Sequence, residues 1–191
     1  MNQKHMTIAK TITLLALAVL AAAFLMGCSA TLTIAGTEVD RKAETLDLQS
    51  KGITDTESVK SLKKLRSLRS LDLRGNPLEI VDFEALSAML PECEILWSVP
   101  VGGERFDSDS TTLTVPGFSE ADVNTLAYFK NLSVLDATGS KDYSALVEAQ
   151  NAYPKVAFSW TVDAAGITFA NDAESVLCPA ETSLAEAETL L

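Results

Sequence analysis

The chain has 191 residues, 47% of them hydrophobic, which is enough apolar material for a packed domain and argues against a disordered chain. It carries 26 acidic and 15 basic residues, a net charge of −11 at pH 7. That balance disfavours nucleic acid as a partner, because a surface that binds nucleic acid needs basic residues in excess.

The N-terminal residues have the layout of a secretory signal. Residues 1–10 carry basic side chains, and residues 11–26 are almost free of polar groups. The segment ends in Leu25-Met26-Gly27-Cys28, which resembles the lipobox of bacterial lipoproteins. The resemblance implies removal of residues 1–27 and a lipid on the Cys28 sulfur, which would hold the exported protein on the outer face of the cell membrane. The alternative is an uncleaved anchor, although 16 apolar residues are short for a bilayer, which needs about 20.

The part that follows Cys28 is predicted to be a tether, a strand and a helix. Residues 28–43 lack clear periodicity and form the tether, with a first edge strand as an alternative for residues 31–39. Leu46 and Leu48 alternate with polar residues and predict the first strand of a domain that spans residues 44–191. Thr54 and Glu57 have capping-box spacing at the start of a helix.

Basic residues gather around this predicted helix, namely Lys60, Lys63, Lys64, Arg66 and Arg69. Loss of residues 1–27 would lower the net charge from −11 to −13, and that charge is uneven: residues 28–74 have a net charge of +2 and residues 75–191 a net charge of −15. Because the basic part adjoins the predicted anchor, it is a candidate for contact with anionic head groups or cell-wall polymers. The alternative is a solvated helix face.

Residues 68–78 carry a repeat signature. Leu68, Leu71, Leu73, Asn76 and Leu78 occupy the positions of the pattern L-x-x-L-x-L-x-x-N-x-L. The alternation within it predicts a second strand that buries two leucines and exposes its charged neighbours. The asparagine side chain is expected to hydrogen-bond backbone groups where the chain leaves the strand.

The second half of the chain repeats the first. After the second strand, Asp82 is predicted to cap a helix that ends at Pro91, and residues 94–101 are predicted to form one long strand. Four residues then recur at an offset of 63, since Pro91, Trp97, Gly103 and Phe106 are matched by Pro154, Trp160, Gly166 and Phe169. Ser119 and Asp122 supply a second predicted capping box. A third copy begins at Val176 and reaches Leu191 inside a predicted helix.

These motifs together resemble a leucine-rich-repeat lipoprotein of bacteria. The resemblance implies an α/β solenoid with parallel strands on the concave face and helices on the convex face, about two long double repeats plus a truncated third, and hairpin extensions after Trp97 and Trp160. It also implies a lipid-anchored protein at the cell surface that binds another protein or an envelope polysaccharide.

No catalytic or metal site is predicted. The single histidine, His5, lies in the segment removed on export, so neither a histidine-activated nucleophile nor an imidazole metal site can form, and no cofactor is expected. Asp107, Ser108 and Asp109 have two interpretations, a calcium loop or a polar loop between repeats, and the second is favoured because calcium needs six or more oxygens. Cys93 and Cys178 are expected to be buried, free thiols.

The binding face is predicted from strand alternation. The outward strand positions are Asp47, Asp72, Arg74, Thr114 and Asp136. The equivalent tryptophans, Trp97 and Trp160, either form an aromatic ladder on that face or, the favoured interpretation, belong to the core. The second interpretation leaves other apolar side chains pointing outward, namely Leu96, Val99, Phe158 and Val162.

Two functions from different classes follow from these predictions. The first is a non-catalytic binding module at the cell surface. The second is a structural spacer or accessory segment of a larger envelope protein that continues beyond Leu191.

Overall fold

The computed structural model describes residues 31–164 and 167–173. The first half of this part begins with a hairpin, β1 (Thr31–Ile34) and β2 (Thr37–Asp40). A parallel sheet follows with the order β3-β4-β5, from β3 (Thr45–Asp47), β4 (Ser70–Asp72) and β5 (Glu94–Leu96). A 3₁₀ helix η1 (Glu57–Lys64) joins β3 to β4, and the helix α1 (Ile80–Met89) joins β4 to β5.

The second half has the same order of elements. A hairpin of β6 (Ser98–Val101) and β7 (Glu104–Asp107) precedes the parallel sheet of β8 (Thr112–Thr114), β9 (Val134–Asp136) and β10 (Ala157–Ser159). The short helices α2 (Glu120–Val123) and η2 (Asn124–Tyr128) join β8 to β9, and α3 (Tyr143–Ala152) joins β9 to β10. A third hairpin, β11 (Thr161–Ala164) with β12 (Ile167–Ala170), follows.

The predicted solenoid is wrong for the part of the chain that the structure describes. The strands there form five small separate sheets, three of them antiparallel hairpins, and each parallel sheet has only three strands of three residues. Residues 94–101 were predicted to be one strand, but the hydrogen-bond partner of the backbone changes at Trp97, and this change separates the sheets. The Trp97 amide donates to Ser108 Oγ (3.1 Å) and its carbonyl accepts from the Ser108 amide (2.8 Å), so the backbone bonds pass from β4 to the hairpin.

Hairpins occur at both places where they were predicted and at one where a tether was predicted. They follow Trp97 and Trp160 directly. The β1-β2 hairpin lies inside residues 28–43, and it buries Ile34 and Val39 in the core. Ala35 and Gly36 both have positive φ, 46° and 76°, which matches the two-residue turn that hairpin twist favours.

The predicted alternation of buried and exposed strand residues is confirmed. Leu46 pairs in register with Leu71, and Leu113 pairs with Leu135; all four are buried. The next buried positions along the chain are Leu48, Leu73, Val115 and Ala137. Their burial closes one face of each parallel sheet, and the alternate residues form the other face.

The tryptophans belong to the core, since Trp97 and Trp160 are both buried. The accompanying prediction that four neighbouring apolar residues point outward is wrong. Val99 and Phe158 are buried, and Leu96 and Val162 are partly buried. Alternation fails in β6 because both of its faces are covered: Ser98, Val99 and Val101 are all buried.

Two of the predicted helix starts are wrong and one is confirmed. Thr54 donates to Asp55 Oδ2, and Asp55 Oδ1 accepts from the Ser58 amide (2.8 Å). The backbone amide at this helix start is therefore bound by the aspartate and not by the predicted threonine. Helix α1 begins two residues before Asp82, whose carboxylate instead accepts from Thr56. The capping box of Ser119 and Asp122 is present.

One polar side chain in each half satisfies the backbone at the exit of its middle strand. Asn76, 1% exposed, accepts from the Lys51 and Ile53 amides (3.0 and 2.9 Å) and donates to the Leu48 and Leu73 carbonyls (both 2.8 Å). Ser140, 2% exposed, accepts from the Phe118 amide (3.0 Å) and donates to the Val115 carbonyl (3.1 Å). The predicted role of Asn76 is confirmed.

Several predictions fall outside the described residues. These are the signal segment, Cys28, Cys178 and the third copy from Val176. Cys93 is free as predicted but only partly buried, and its burial, followed by the nearby Glu94 carboxylate, raises the pKa of its thiol. None of the helices within residues 31–164 is long and apolar enough to span a bilayer.

Candidate functional site

The predicted binding-face residues occupy the exposed side of the two parallel sheets. Asp47 lies beside Asp72 in the register of β3 and β4, and Thr114 lies beside Asp136 in the register of β8 and β9. Asp47 and Thr114 are exposed, whereas Asp72, Arg74 and Asp136 are half-buried. The structure therefore brings the candidates together in two short rows on separate sheets, not in one continuous face.

The three acids in these rows also have a local structural role. In each of them Oδ1 accepts from the amide two residues later: Gln49 for Asp47 (2.9 Å), Arg74 for Asp72 (3.0 Å) and Thr138 for Asp136 (2.9 Å). Such turns are a common reason for aspartate where a strand ends. The hydroxyl and amide of Thr138, followed by Ser159, lower the pKa of Asp136. Exposure by alternation is thus only part of the reason for these acids.

Arg74 makes the longest-range contact of the rows. Its guanidinium donates to both carboxylate oxygens of Asp72, with NH2 to Oδ2 at 2.6 Å, and its NH1 donates to Asp109 Oδ2 at 3.1 Å. Burial raises the pKa of Asp72, but the hydrogen bonds and charge of Arg74 outweigh it and leave that pKa below its usual value. The bonds to Asp72 also raise the pKa of Arg74, so the pair stays ionised.

A cleft of about 320 Å³ lies next to the ion network that Asp72, Arg74 and Asp109 form. Its lining includes Glu94, Ile95 and Leu96 of β5, where Leu96 is the register neighbour of Asp72, and the charged residues Asp109 and Lys130. In a parallel ladder alternate residues bond to alternate neighbours, and Glu94 and Leu96 bond toward β4, so the backbone groups of Ile95 point away from that strand. The cleft lining therefore combines apolar side chains, one strand edge and charged groups.

An aromatic cluster lines one side of the cleft. Phe83 stacks on Trp97 with ring centroids 4.3 Å apart, and Tyr128 meets both rings edge-on, at 5.3 and 5.5 Å. Stacked and edge-to-face pairs of this kind stabilise a fixed side-chain arrangement. The Tyr128 hydroxyl donates to Glu84 (2.9 Å), which fixes the ring from outside. Periodicity did not single out Phe83 or Tyr128 as site residues.

Trp97 contains a buried donor with no partner. Among the buried side-chain nitrogen and oxygen atoms of residues 31–164 and 167–173, Nε1 of Trp97 is the one that forms no hydrogen bond. A buried unpaired N–H costs about 1–3 kcal/mol, so such atoms are uncommon in folded proteins. Because Trp97 also lines the cleft, the orphan donor and the cavity belong to the same part of the molecule.

The loop at residues 107–109 uses its polar groups in internal contacts. Asp107 Oδ1 accepts from Ser98 Oγ (3.1 Å), Ser108 bonds the Trp97 backbone, and Asp109 binds Arg74. Within the described ranges, no group of three or more acidic, cysteine or histidine side chains is arranged to hold a metal ion. The loop joins the hairpin to β8.

The five basic candidates are all exposed. Lys60 pairs with Glu57 on η1, and the remaining four are Lys63, Lys64, Arg66 and Arg69. Three of them, Lys63, Arg66 and Arg69, line a second cleft of about 220 Å³. Its apolar lining includes Leu65, Leu68 and Met89.

Comparison of the chain with protein-family models, curated proteins and solved structures finds no match.

Proposed function

We infer that the protein is an exported, lipid-anchored binding module that recognises another protein at the outer face of the cell membrane. The observation that carries this proposal is that Arg74 is held between Asp72 and Asp109, and that Asp109 also lines the aromatic cleft. The rigid ion network offers polar recognition, and the cleft offers a place for an apolar side chain, a combination typical of protein-binding surfaces.

The charge of the module favours a basic segment as its partner. Asp47 has one carboxylate oxygen that makes no hydrogen bond in the described part of the chain, and residues 28–191 together carry a net charge of −13. A basic peptide would be attracted to this surface over a distance of about a Debye length, roughly 8 Å at physiological salt. An acidic envelope polysaccharide would be repelled, so we favour a protein over a polysaccharide.

Photo-crosslinking on intact cells tests the binding face. A crosslinking residue replacing Asp47 is expected to capture one discrete protein, and the matched control at Lys155, which is also exposed, is expected to capture none. Capture at Asp47 should fall about tenfold in an Arg74→Ala background, because a buried or half-buried charged contact in an interface contributes more than about 1.4 kcal/mol. Equal products from the two positions would contradict the proposal and favour the spacer function.

The anchor is tested separately. The sequence Leu25-Met26-Gly27-Cys28 supports cleavage before Cys28, so the mature protein is expected to have a modified N-terminal cysteine and to sediment with membranes. Mass spectrometry of the N-terminal peptide measures the modification directly. Cys28→Ala should abolish the lipid mass while leaving the binding-face crosslink intact. A mature protein that retains residues 1–27 would overturn the lipid anchor without affecting the binding face.

A further inference from the structure

Starting from the lipid anchor proposed above, we propose that the basic face of the first half of the chain docks on anionic phospholipid. This face comprises the exposed side chains of Lys60, Lys63, Lys64, Arg66 and Arg69 and the cleft between them, and its occupant is the phosphate of a membrane head group. Docking would lay the domain directly on the membrane in one orientation instead of leaving it free on a tether.

The short distance along the chain between Cys28 and the basic face is the first step of the argument. Strand β1 begins at Thr31 and packs against η1, which carries Lys60, Lys63 and Lys64. Three residues reach at most about 11 Å even when fully extended. A lipid on Cys28 therefore brings η1 to the membrane surface, because the expected 16-residue spacer is largely taken up by the β1-β2 hairpin.

The charges on the face are available for a ligand. In the part of the chain that the structure describes, Lys60 has Glu57 as its ion-pair partner, and no ion pair engages Lys63, Lys64, Arg66 or Arg69. Internal ion pairs are formed elsewhere, by Arg74, Arg105 and Lys141. Four unpaired cations on one small surface would be attracted to anionic lipid, and each contributes about fivefold to the affinity for such a surface.

The cleft gives this face a shape that suits a head group. Lys63, Arg66 and Arg69 lie around a volume of about 220 Å³, equal to about seven waters of the liquid. Arginine guanidinium groups bind phosphate oxygens in pairs, and lysine adds a point charge. Met89, which is partly exposed, offers apolar surface beside the cations, and Glu92 is the acid on the lining.

Hydrogen-deuterium exchange on the full chain in vesicles tests this docking. The chain is reconstituted into phosphatidylcholine alone and into phosphatidylcholine mixed with phosphatidylglycerol. Amides of residues 57–69 are expected to exchange about fivefold more slowly, or slower still, in the anionic vesicles, and the difference should vanish at high salt. Equal exchange in the two kinds of vesicle would overturn the proposal.

Charge-reversal variants supply the matched control. Lys63→Glu, Arg66→Glu and Arg69→Glu together should remove the protection, whereas Lys51→Glu, Lys130→Glu and Lys155→Glu, the same change in charge at other exposed positions, should retain it. Exchange of both variants in neutral vesicles should match the unaltered protein, which shows that η1 remains folded. Protection that survives the first triple change refutes docking through this face.

Two further arms separate the outcomes. Inorganic phosphate added to the neutral vesicles should give no protection, and protection by it would mean that the cleft takes a free anion, which overturns membrane docking. The lipid mass on Cys28 is measured on the same sample. Because residues 11–26 can also hold an unprocessed chain in the vesicle, unchanged exchange with a lipidated Cys28 refutes docking alone, whereas a missing lipid refutes the anchor.

Discussion

Replacing Asn76 with alanine should be among the most destabilising single changes in the first half of the chain. The side chain is 1% exposed and makes four hydrogen bonds, three of them to buried groups, the Ile53 amide and the Leu48 and Leu73 carbonyls. Each buried group left unpaired costs about 1–3 kcal/mol, so we expect Asn76→Ala to lower the free energy of unfolding by about 3–5 kcal/mol.

Ser140 provides the matched control within the same molecule. It makes two buried bonds at the equivalent position of the second half, so Ser140→Ala should cost about 1–3 kcal/mol. The expected difference of about 2 kcal/mol corresponds to a roughly thirtyfold difference in the unfolding constant. Urea denaturation measures both values, and a shifted midpoint with unchanged slope identifies a change in stability. If Asn76→Ala costs no more than Ser140→Ala, water replaces the asparagine and the reasoning fails.

An aspartate at position 76 distinguishes the donors of this side chain from its acceptors. Asn76→Asp keeps an oxygen for the Lys51 and Ile53 amides but sets a carboxylate against the Leu48 and Leu73 carbonyls. The variant should be as unstable as Asn76→Ala at neutral pH. It should regain part of the loss in acid, where a protonated carboxyl can donate one bond.

Two further outcomes follow from the turn at Gly102 and from the Asp72 pair. At Gly102 an added Cβ would approach Val115 Cγ1 to 2.2 Å, so Gly102→Ala should lower the free energy of unfolding by about 2–4 kcal/mol. At Gly103 an added Cβ would meet nothing within 4 Å, so Gly103→Ala should cost only about 1 kcal/mol, from the positive φ of that residue. Thermal unfolding of the two variants measures both losses of stability, and equal losses would contradict the prediction. Asp72 has a pKa held below its usual 3.8, so its pairing with Arg74 stabilises the fold above that pH and is lost as the pH falls through the lower folded value. Unfolding measured against pH should show Asp72→Asn less stable than the unaltered protein at pH 7 and converging with it in acid.

The leucine core was predictable from the sequence, but the sheet topology was not. Alternation around Leu46, Leu71, Leu113 and Leu135 depends only on the pleat of a strand, and all four are buried. Whether consecutive strands join one sheet depends on where the backbone bonds go. Trp97 lies in an unbroken apolar run, and nothing in that run indicates that its amide bonds Ser108.

The sequence carries a signal for the first hairpin. The hairpins β1-β2 and β6-β7 share the same register and two-residue turn, with Ala35-Gly36 at the place of Gly102-Gly103, 67 residues later. This repeat of glycine-containing turns places the start of the domain at Thr31 and not at residue 44. The edge strand offered as an alternative for residues 31–39 covers most of this hairpin, but periodicity did not divide it into two strands because each has only four residues.

The candidate site was predictable only in part, for a similar reason. Alternation correctly placed Asp72 and Arg74 on the side of the sheet opposite the leucines, yet the bond from Arg74 to Asp109 spans 35 residues and needs the folded chain. The same holds for the aromatic cluster, since Phe83 and Tyr128 are on different helices. Contacts between residues far apart in the sequence determine which side chains form the site, whereas apolar periodicity predicts only local geometry.

The two proposed surfaces lie at opposite ends of one strand. Arg69 immediately precedes β4, whereas Asp72 ends it and Arg74 follows it. Five residues of extended chain cover about 16 Å, so the basic cleft lies toward the amino ends of the parallel strands and the ion network toward their carboxyl ends. If the basic face lies on anionic lipid, Arg74 and the adjoining aromatic cleft face away from the membrane, where a partner can reach them. Lipid captured by a crosslinker at Asp47 would therefore contradict both proposals, whereas absence of any captured protein would contradict the binding face alone.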